Sequence, residues 1–141
     1  MQVEIKNLED IPDNHEYYST LSGESFMLKK TEDFIIFQFP SLAKLHIKYP
    51  DKIFCDGTFY FAPSISYQVF ITRIYAEEMN YFFTTSFTIM KNKEQINYEE
   101  FIDELKKNIL NQSLKKLFFP EKSTVISKLP YLMLSKNFFL I

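Results

Sequence analysis

The spacing of apolar residues changes period once in this chain, near Lys91, and that change limits the folds open to it. Before it lie three runs of β-forming residues, KIFCDGTFYF, SYQVFITRIYA and NYFFTTSFTIM, split by turn signals at Pro63-Ser64 and at Glu77 to Asn80. β-Formers on both faces of the first run suit an interior strand, and the short connections call for antiparallel neighbours. After it, Tyr98, Phe101, Ile102, Leu105 and Ile109 fall at helical spacing, one stripe of an amphipathic helix. Asn92 with Gln95 reads as a capping box at its start. Glu94, Glu99 and Glu100 lie early and Lys106 and Lys107 late, in keeping with the helix dipole. The expectation is an α+β (α/β) domain: an antiparallel three-stranded meander followed by a helix.

Upstream, ESFMLKK and EDFIIFQF read as two strands joined by a turn around Thr31, Glu32 and Asp33. SLAKLHIKYP reads as a short helix with Ser41 as N-cap and Pro50 as its stop. The organisation is then a polar segment over 1–18, a strand pair and short helix over 19–50, a core over 51–112, and a divergent tail over 113–141. In the tail one more strand is expected at Thr124 to Ile126, then a break at Pro130 and an apolar end.

Composition removes several functions. With 46% hydrophobic and 18% aromatic residues the chain can bury a core, which excludes disorder for most of it. Two glycines cannot supply a GxxxxGK phosphate loop or a GxGxxG dinucleotide turn. The one cysteine, Cys55, excludes an internal disulfide framework and a Cys-rich zinc site, and suits a reducing compartment. A net charge of −2 with scattered basic residues leaves no electrostatic footprint for tight nucleic-acid binding. MQVEIKNLEDIPDNH lacks a signal-peptide core, and no apolar run approaches the ~20 residues of a membrane span. The expected location is therefore intracellular, nucleus or cytoplasm, with no membrane partner.

Asp56 is the residue that this pattern does not explain. A charge on a core strand costs several kcal/mol unless it is paired, hydrogen-bonded or bound to a metal. Either Asp56 forms an Asx-type turn with Gly57, or the strand delivers its carboxylate to a site. The other candidates have plainer readings. His15 and His46 share no ligand spacing, Cys55 alternates with Asp56 and points into the core, and Asp103 and Glu104 fall on the solvated side of the helix. Tyr17-Tyr18, Phe59-Tyr60-Phe61 and Tyr81-Phe82-Phe83 read as core rather than as base-stacking platforms. Arg73 and Lys91 read as surface charge, with contact to a DNA phosphate as the alternative.

The runs DGTFYFAPSISYQVFITRIYA and YFFTTSFTIMKNKEQINYEEFIDELKK resemble the MULE transposase domain, that of the Mutator-like element transposases. There a strand reading roughly DGTF-x-x-x-P leads to a Q-[LV]-[FY]-x-[IL] strand, a third apolar strand, and a helix start K-x-x-x-x-Y-x-x-[FL]. The upstream LSGESFMLKKTEDFIIFQFPSLAKL is similar to the segment that precedes these motifs in many animal members, so the resemblance covers about residues 19–110. It implies a ribonuclease H-like fold and a DDE nucleotidyl transferase, in which three carboxylates hold two Mg²⁺ or Mn²⁺ ions for attack on a DNA phosphate. Asp56 matches the first acid, and thus the first metal ligand.

The resemblance also implies a second acid at the end of the strand after the helix, in a D-x-[EA] context, and a third on a later helix. The expected strand STVIS is followed instead by Ser127, Lys128 and Leu129, and Glu121 is the only carboxylate beyond Glu104. The expectation is a truncated ribonuclease H-like domain, catalytically inactive, with Asp56 as a vestigial acid and no cofactor of its own. The alternatives are a domesticated DNA- or protein-binding module, and a DDE nuclease completed by a partner chain. DNA by resemblance, and self-association through an exposed sheet edge, are the partners implied.

Overall fold

The computed structural model describes residues 4–50, 52–118 and 138–140. Its strands are β1 (Met27–Lys30), β2 (Phe34–Phe37), β3 (Ile53–Thr58), β4 (Gln68–Ala76), β5 (Tyr81–Met90) and β6 (Phe138–Leu140), and its α-helices are α1 (Pro40–Lys48) and α2 (Gln95–Phe118). They build one α+β sheet in the order β1-β2-β5-β4-β3-β6, in which β3 and β6 are parallel and every other neighbouring pair is antiparallel.

The meander β3-β4-β5 and the helix after it form where the change of period sets them. The hairpin β1-β2 turns at Thr31, whose Oγ1 accepts hydrogen bonds from the N–H groups of Asp33 at 3.2 Å and Phe34 at 3.0 Å. This hairpin joins the far edge of the meander, with Phe34 to Phe37 paired against Met90 to Phe87. Asn80, at φ 49, supplies the left-handed turn into β5, a conformation asparagine tolerates better than most residues.

Helices α1 and α2 lie on one face of the sheet. Phe101 and Leu105 of α2 are fully buried against Phe34, Ile36, Ile53, Phe70, Ile74 and Met90, and Ala43 and Ile47 of α1 pack with Ile109 of α2. Each such side chain contributes about 1.5–3 kcal/mol by leaving water. The Phe70 ring meets Tyr98 and Phe101 edge-to-face at 5.2 and 5.3 Å, which fixes α2 over the centre of β4.

A β-bulge in β5 shifts the register between Thr72 and Arg73: Thr72 pairs with Ser86, but Arg73 pairs with Thr84. The extra residue, Thr85, and Ser86 both turn toward the helices, where each hydroxyl bonds Thr72 Oγ1, at 2.9 and 2.5 Å. Gln38 completes this buried polar run, donating to the Thr85 carbonyl at 3.1 Å and accepting from Asn108 of α2 at 3.0 Å.

Neither helix covers the opposite face. Its β1-β2 end is covered by the N-terminal segment, because Lys30 donates to the carbonyls of Glu9 and Ile11, and Tyr18 packs on Phe37 at 5.7 Å. Across the rest of it run the cross-strand rows Asp56-Ile71-Phe87 and Phe54-Arg73-Thr84.

Several expectations are corrected here. Pro40, not Ser41, opens α1: its fixed φ suits the first helical position, and Phe39 stands before it without a side-chain cap. Asn92 forms an Asx turn, accepting from Glu94 N–H at 3.0 Å, whereas Gln95 reaches forward to Glu99 at 2.7 Å, so the capping box does not form. α2 runs on to Phe118. Thr124 to Ile126 lie outside the described residues, and the described strand that follows α2 is β6, in what read as the apolar end. Among the described strands the outer edges of the sheet are β1 and β6.

Candidate functional site

Asp56 sits in regular strand, opposite Ile71, with Gly57 opposite Phe70, so the pair does not form an Asx turn. Cys55 points to the helical side and is 3% exposed, which by alternation turns Asp56 to the open face. Asp56 is half-buried, and among the described residues its carboxylate has neither a hydrogen bond nor an ion pair. On its other side β3 pairs with β6, Cys55 opposite Leu140. Because these two strands are parallel, β6 advances toward the level of Asp56 and its last described residue stands one position short of it.

The residues that carry the resemblance explain one another structurally. A Cβ at Gly57 would stand 2.6 Å from Gln68 Oε1, so glycine is what lets the Gln68 side chain cross the strand. The Gln68 amide, 2% exposed, donates to the Tyr98 hydroxyl at 2.5 Å and faces Met90 Sδ at 3.5 Å. Gly57, Gln68 and Tyr98 thus lock β3, β4 and α2 together. Phe59 holds Lys93 over its ring at 4.5 Å, the same ammonium lies 5.1 Å from the centre of Tyr67, and the two rings meet edge-to-face at 5.3 Å. Asp56 is the one charged group among the DGTF residues, and it has nothing to bind among the described residues.

Arg73 stands on the same face, on the neighbouring strand, opposite Phe54 and one step diagonal from Asp56. Its Nε is buried without a hydrogen-bond partner, and no carboxylate lies within ion-pair distance of it among the described residues. Beyond Arg73 the face opens into a cleft of about 640 Å³ walled by Phe54, Tyr75 and Phe82, with Lys48, Tyr49 and Glu78 at its rim. Glu78 accepts from the Tyr49 hydroxyl and pairs with Lys48 at 3.2 Å, and these contacts hold its carboxyl below the usual range.

The remaining candidates do not join the site. His46 is fully buried on α1 against Gln38 Nε2 at 3.5 Å; its Nδ1 has no partner, and burial lowers its pKa to about 4. His15 begins a short 3-10 turn in the N-terminal segment. Burial pushes the Cys55 thiol up to about 12, the behaviour of a core residue and not of a nucleophile. Asp103 is exposed as expected, but Glu104 is half-buried and bonds Lys29 at 3.2 Å and Lys107 at 3.1 Å. Burial opposes ionisation of Glu104, the two lysines outweigh it, and its pKa falls; the group ties α2 to β1. Among the described residues no cluster of three or more His, Cys, Asp or Glu is arranged to hold a metal ion.

The aromatic clusters are the main misreading. Phe59, Tyr60 and Phe61 are 50, 89 and 79% exposed, since the β3-β4 pairing ends at Thr58-Val69 and the chain runs past the end of the sheet. Tyr17, Tyr81 and Phe82 are exposed as well, whereas Tyr18 and Phe83 are half-buried. Among the described residues no helix is long and apolar enough to cross a membrane. Compared with protein-family models, with curated proteins and with solved structures, the chain has no match.

Proposed function

We propose that the chain carries the first part of a ribonuclease H-like domain of the Mutator-like transposase kind, with Asp56 at its first metal-ligand position, and that these 141 residues do not by themselves cut or join DNA. The observation that carries this reading is the pairing of β6 with β3 in parallel after the α2 crossover, ending one position short of an unpartnered Asp56. In the resembled family the second acid ends the strand after the helix. Parallel pairing is what brings two strand ends to one level, and it is how two carboxylates come to share a metal ion. The described residues of β6, Phe138 to Leu140, carry no acid to stand beside Asp56. One carboxylate cannot hold two ions in fixed geometry.

The exposed aromatic tip Phe59-Tyr60-Phe61 favours a second reading, a binding module that keeps the fold without the chemistry. Self-association would in that case run along the outer edge of β6 or β1, the strands without a second neighbour among those described. A nicking assay on supercoiled DNA with Mn²⁺ tests the main reading. No nicking above that of an Asp56→Asn control is expected, and Asp56-dependent nicking would overturn it.

A further inference from the structure

Strand β2 stops before its neighbour does. Phe34 to Phe37 pair with Met90 to Phe87, and Pro40, with no N–H to give a ladder, then turns the chain into α1. Beyond that point Tyr81 to Ser86 keep β4 on one side, and on the other no described strand lies beside them. Gln38 caps the head of this free edge, its amide donating to the Thr85 carbonyl at 3.1 Å. Among the described residues the backbone of Tyr81 to Thr84 bonds β4 alone. In a ladder every second residue turns its N–H and C=O to each neighbour, so half of these groups face the gap. Such edges are normally blunted by lysine, proline or inward charge. β1, an outer edge, carries Lys29 and Lys30. The run from Tyr81 to Met90 has no charge and no proline, and Tyr81 and Phe82 are 58 and 45% exposed. Where β2 ends, the gap adjoins an apolar cavity of about 220 Å³, lined by Thr85 to Phe87 of β5 and by Phe26, Phe39 and Leu42.

We propose that Tyr81 to Thr84 form a strand-acceptor site, which takes one extended peptide segment of another protein in the line that β2 vacates, with a large apolar side chain of that segment in the cavity. The unpaired groups identify the occupant: main-chain donors and acceptors at strand spacing are met by a β-strand, not by a helix. Width argues against a second copy. Only β2 separates β5 from the line of β1, so the gap holds one strand. Phe26, whose carbonyl accepts from Gln38 N–H at 2.8 Å and whose ring stacks on Phe39 at 4.4 Å, marks its far side. A second copy would offer β1 or β6 with a neighbouring strand attached, and β1 would bring two lysines against an uncharged edge. That edge sets the chemistry of the segment: uncharged, rich in β-branched residues, with one anchor the size of leucine or phenylalanine. The site holds whether or not Asp56 carries chemistry.

Seven-residue peptides of alternating threonine and valine, blocked at both ends, test this with leucine, phenylalanine, alanine or aspartate at the centre. The unaltered protein should bind the leucine and phenylalanine members, the alanine member at least about tenfold more weakly, and the aspartate member undetectably. The gap-facing amide protons among Tyr81 to Thr84 should exchange freely in the isolated protein and become protected when peptide binds. Methylating the peptide nitrogens that face β5 should abolish binding, and methylating the alternate ones should not. No binding of the leucine and phenylalanine members at millimolar concentration, equal binding of alanine, or binding that leaves those amides exchanging would overturn the proposal. So would protection already present without peptide. If independent of protein concentration, it means the chain covers its own edge; if it rises with concentration, a second copy does.

Discussion

At the scale of single residues, burial decides what each polar group does. His46 has a folded-state pKa of about 4, well below the ordinary 6.5, so protons bind the unfolded chain more readily. Its contribution to stability is complete above pH 6.5 and is lost as the pH falls toward 4, about 3 kcal/mol in all. Denaturant melts at pH 7 and 4.5 should show the native protein losing about 2–3 kcal/mol more than His46→Leu; equal losses would mean the imidazole is solvated. Cys55 should resist a thiol reagent at pH 8 until the protein unfolds, as its thiol at about 12 stays protonated. Gly57→Ala should cost about 1–3 kcal/mol, since the new methyl group displaces Gln68 from Tyr98, and Tyr98→Phe should remove part of that penalty. Asp56 was legible as an anomaly from the apolar run around it. The solitary arginine was equally visible, but only the sheet register reveals which side chain it stands beside.

Among the elements, those with a long regular period were readable and those without were not. β4 and β5 run for nine and ten residues, long enough to read as β-forming runs between turn signals, and the stripe Phe101, Leu105, Ile109 marks the buried side of α2. The bulge at Thr85 left no signal beyond a run of threonine and serine, because one extra residue changes no composition. β6 has only three residues, too short for alternation, and the apolar tail around it reads the same in any structure. Exposed Phe59 to Phe61 misled for a related reason: aromatic residues predict burial only where an element exists to bury them. The joint that matters most is α2 on the sheet, so Phe101→Ala should lose about 3–5 kcal/mol in equilibrium unfolding, against under 0.5 for exposed Asp103→Ala. Similar values for both would place α2 elsewhere.

At the scale of the whole molecule, the described residues cover the sheet with two helices on one side and leave the other side open except at its β1-β2 end. Asp56, Arg73 and the aromatic cleft share the open part, which is why chemistry is assigned to that face and not to the buried polar run under the helices. β6 sets position 139 opposite Phe54, one step along the face from Asp56, and an acid substituted there probes the site directly. Mn²⁺ binding followed by electron paramagnetic resonance should be weaker than millimolar in the native protein and at least about tenfold tighter in Phe139→Asp, through a second carboxylate ligand. The gain should vanish in Asp56→Asn/Phe139→Asp. No gain in Phe139→Asp, or a gain that survives the loss of Asp56, would contradict the placement of a metal site on β3.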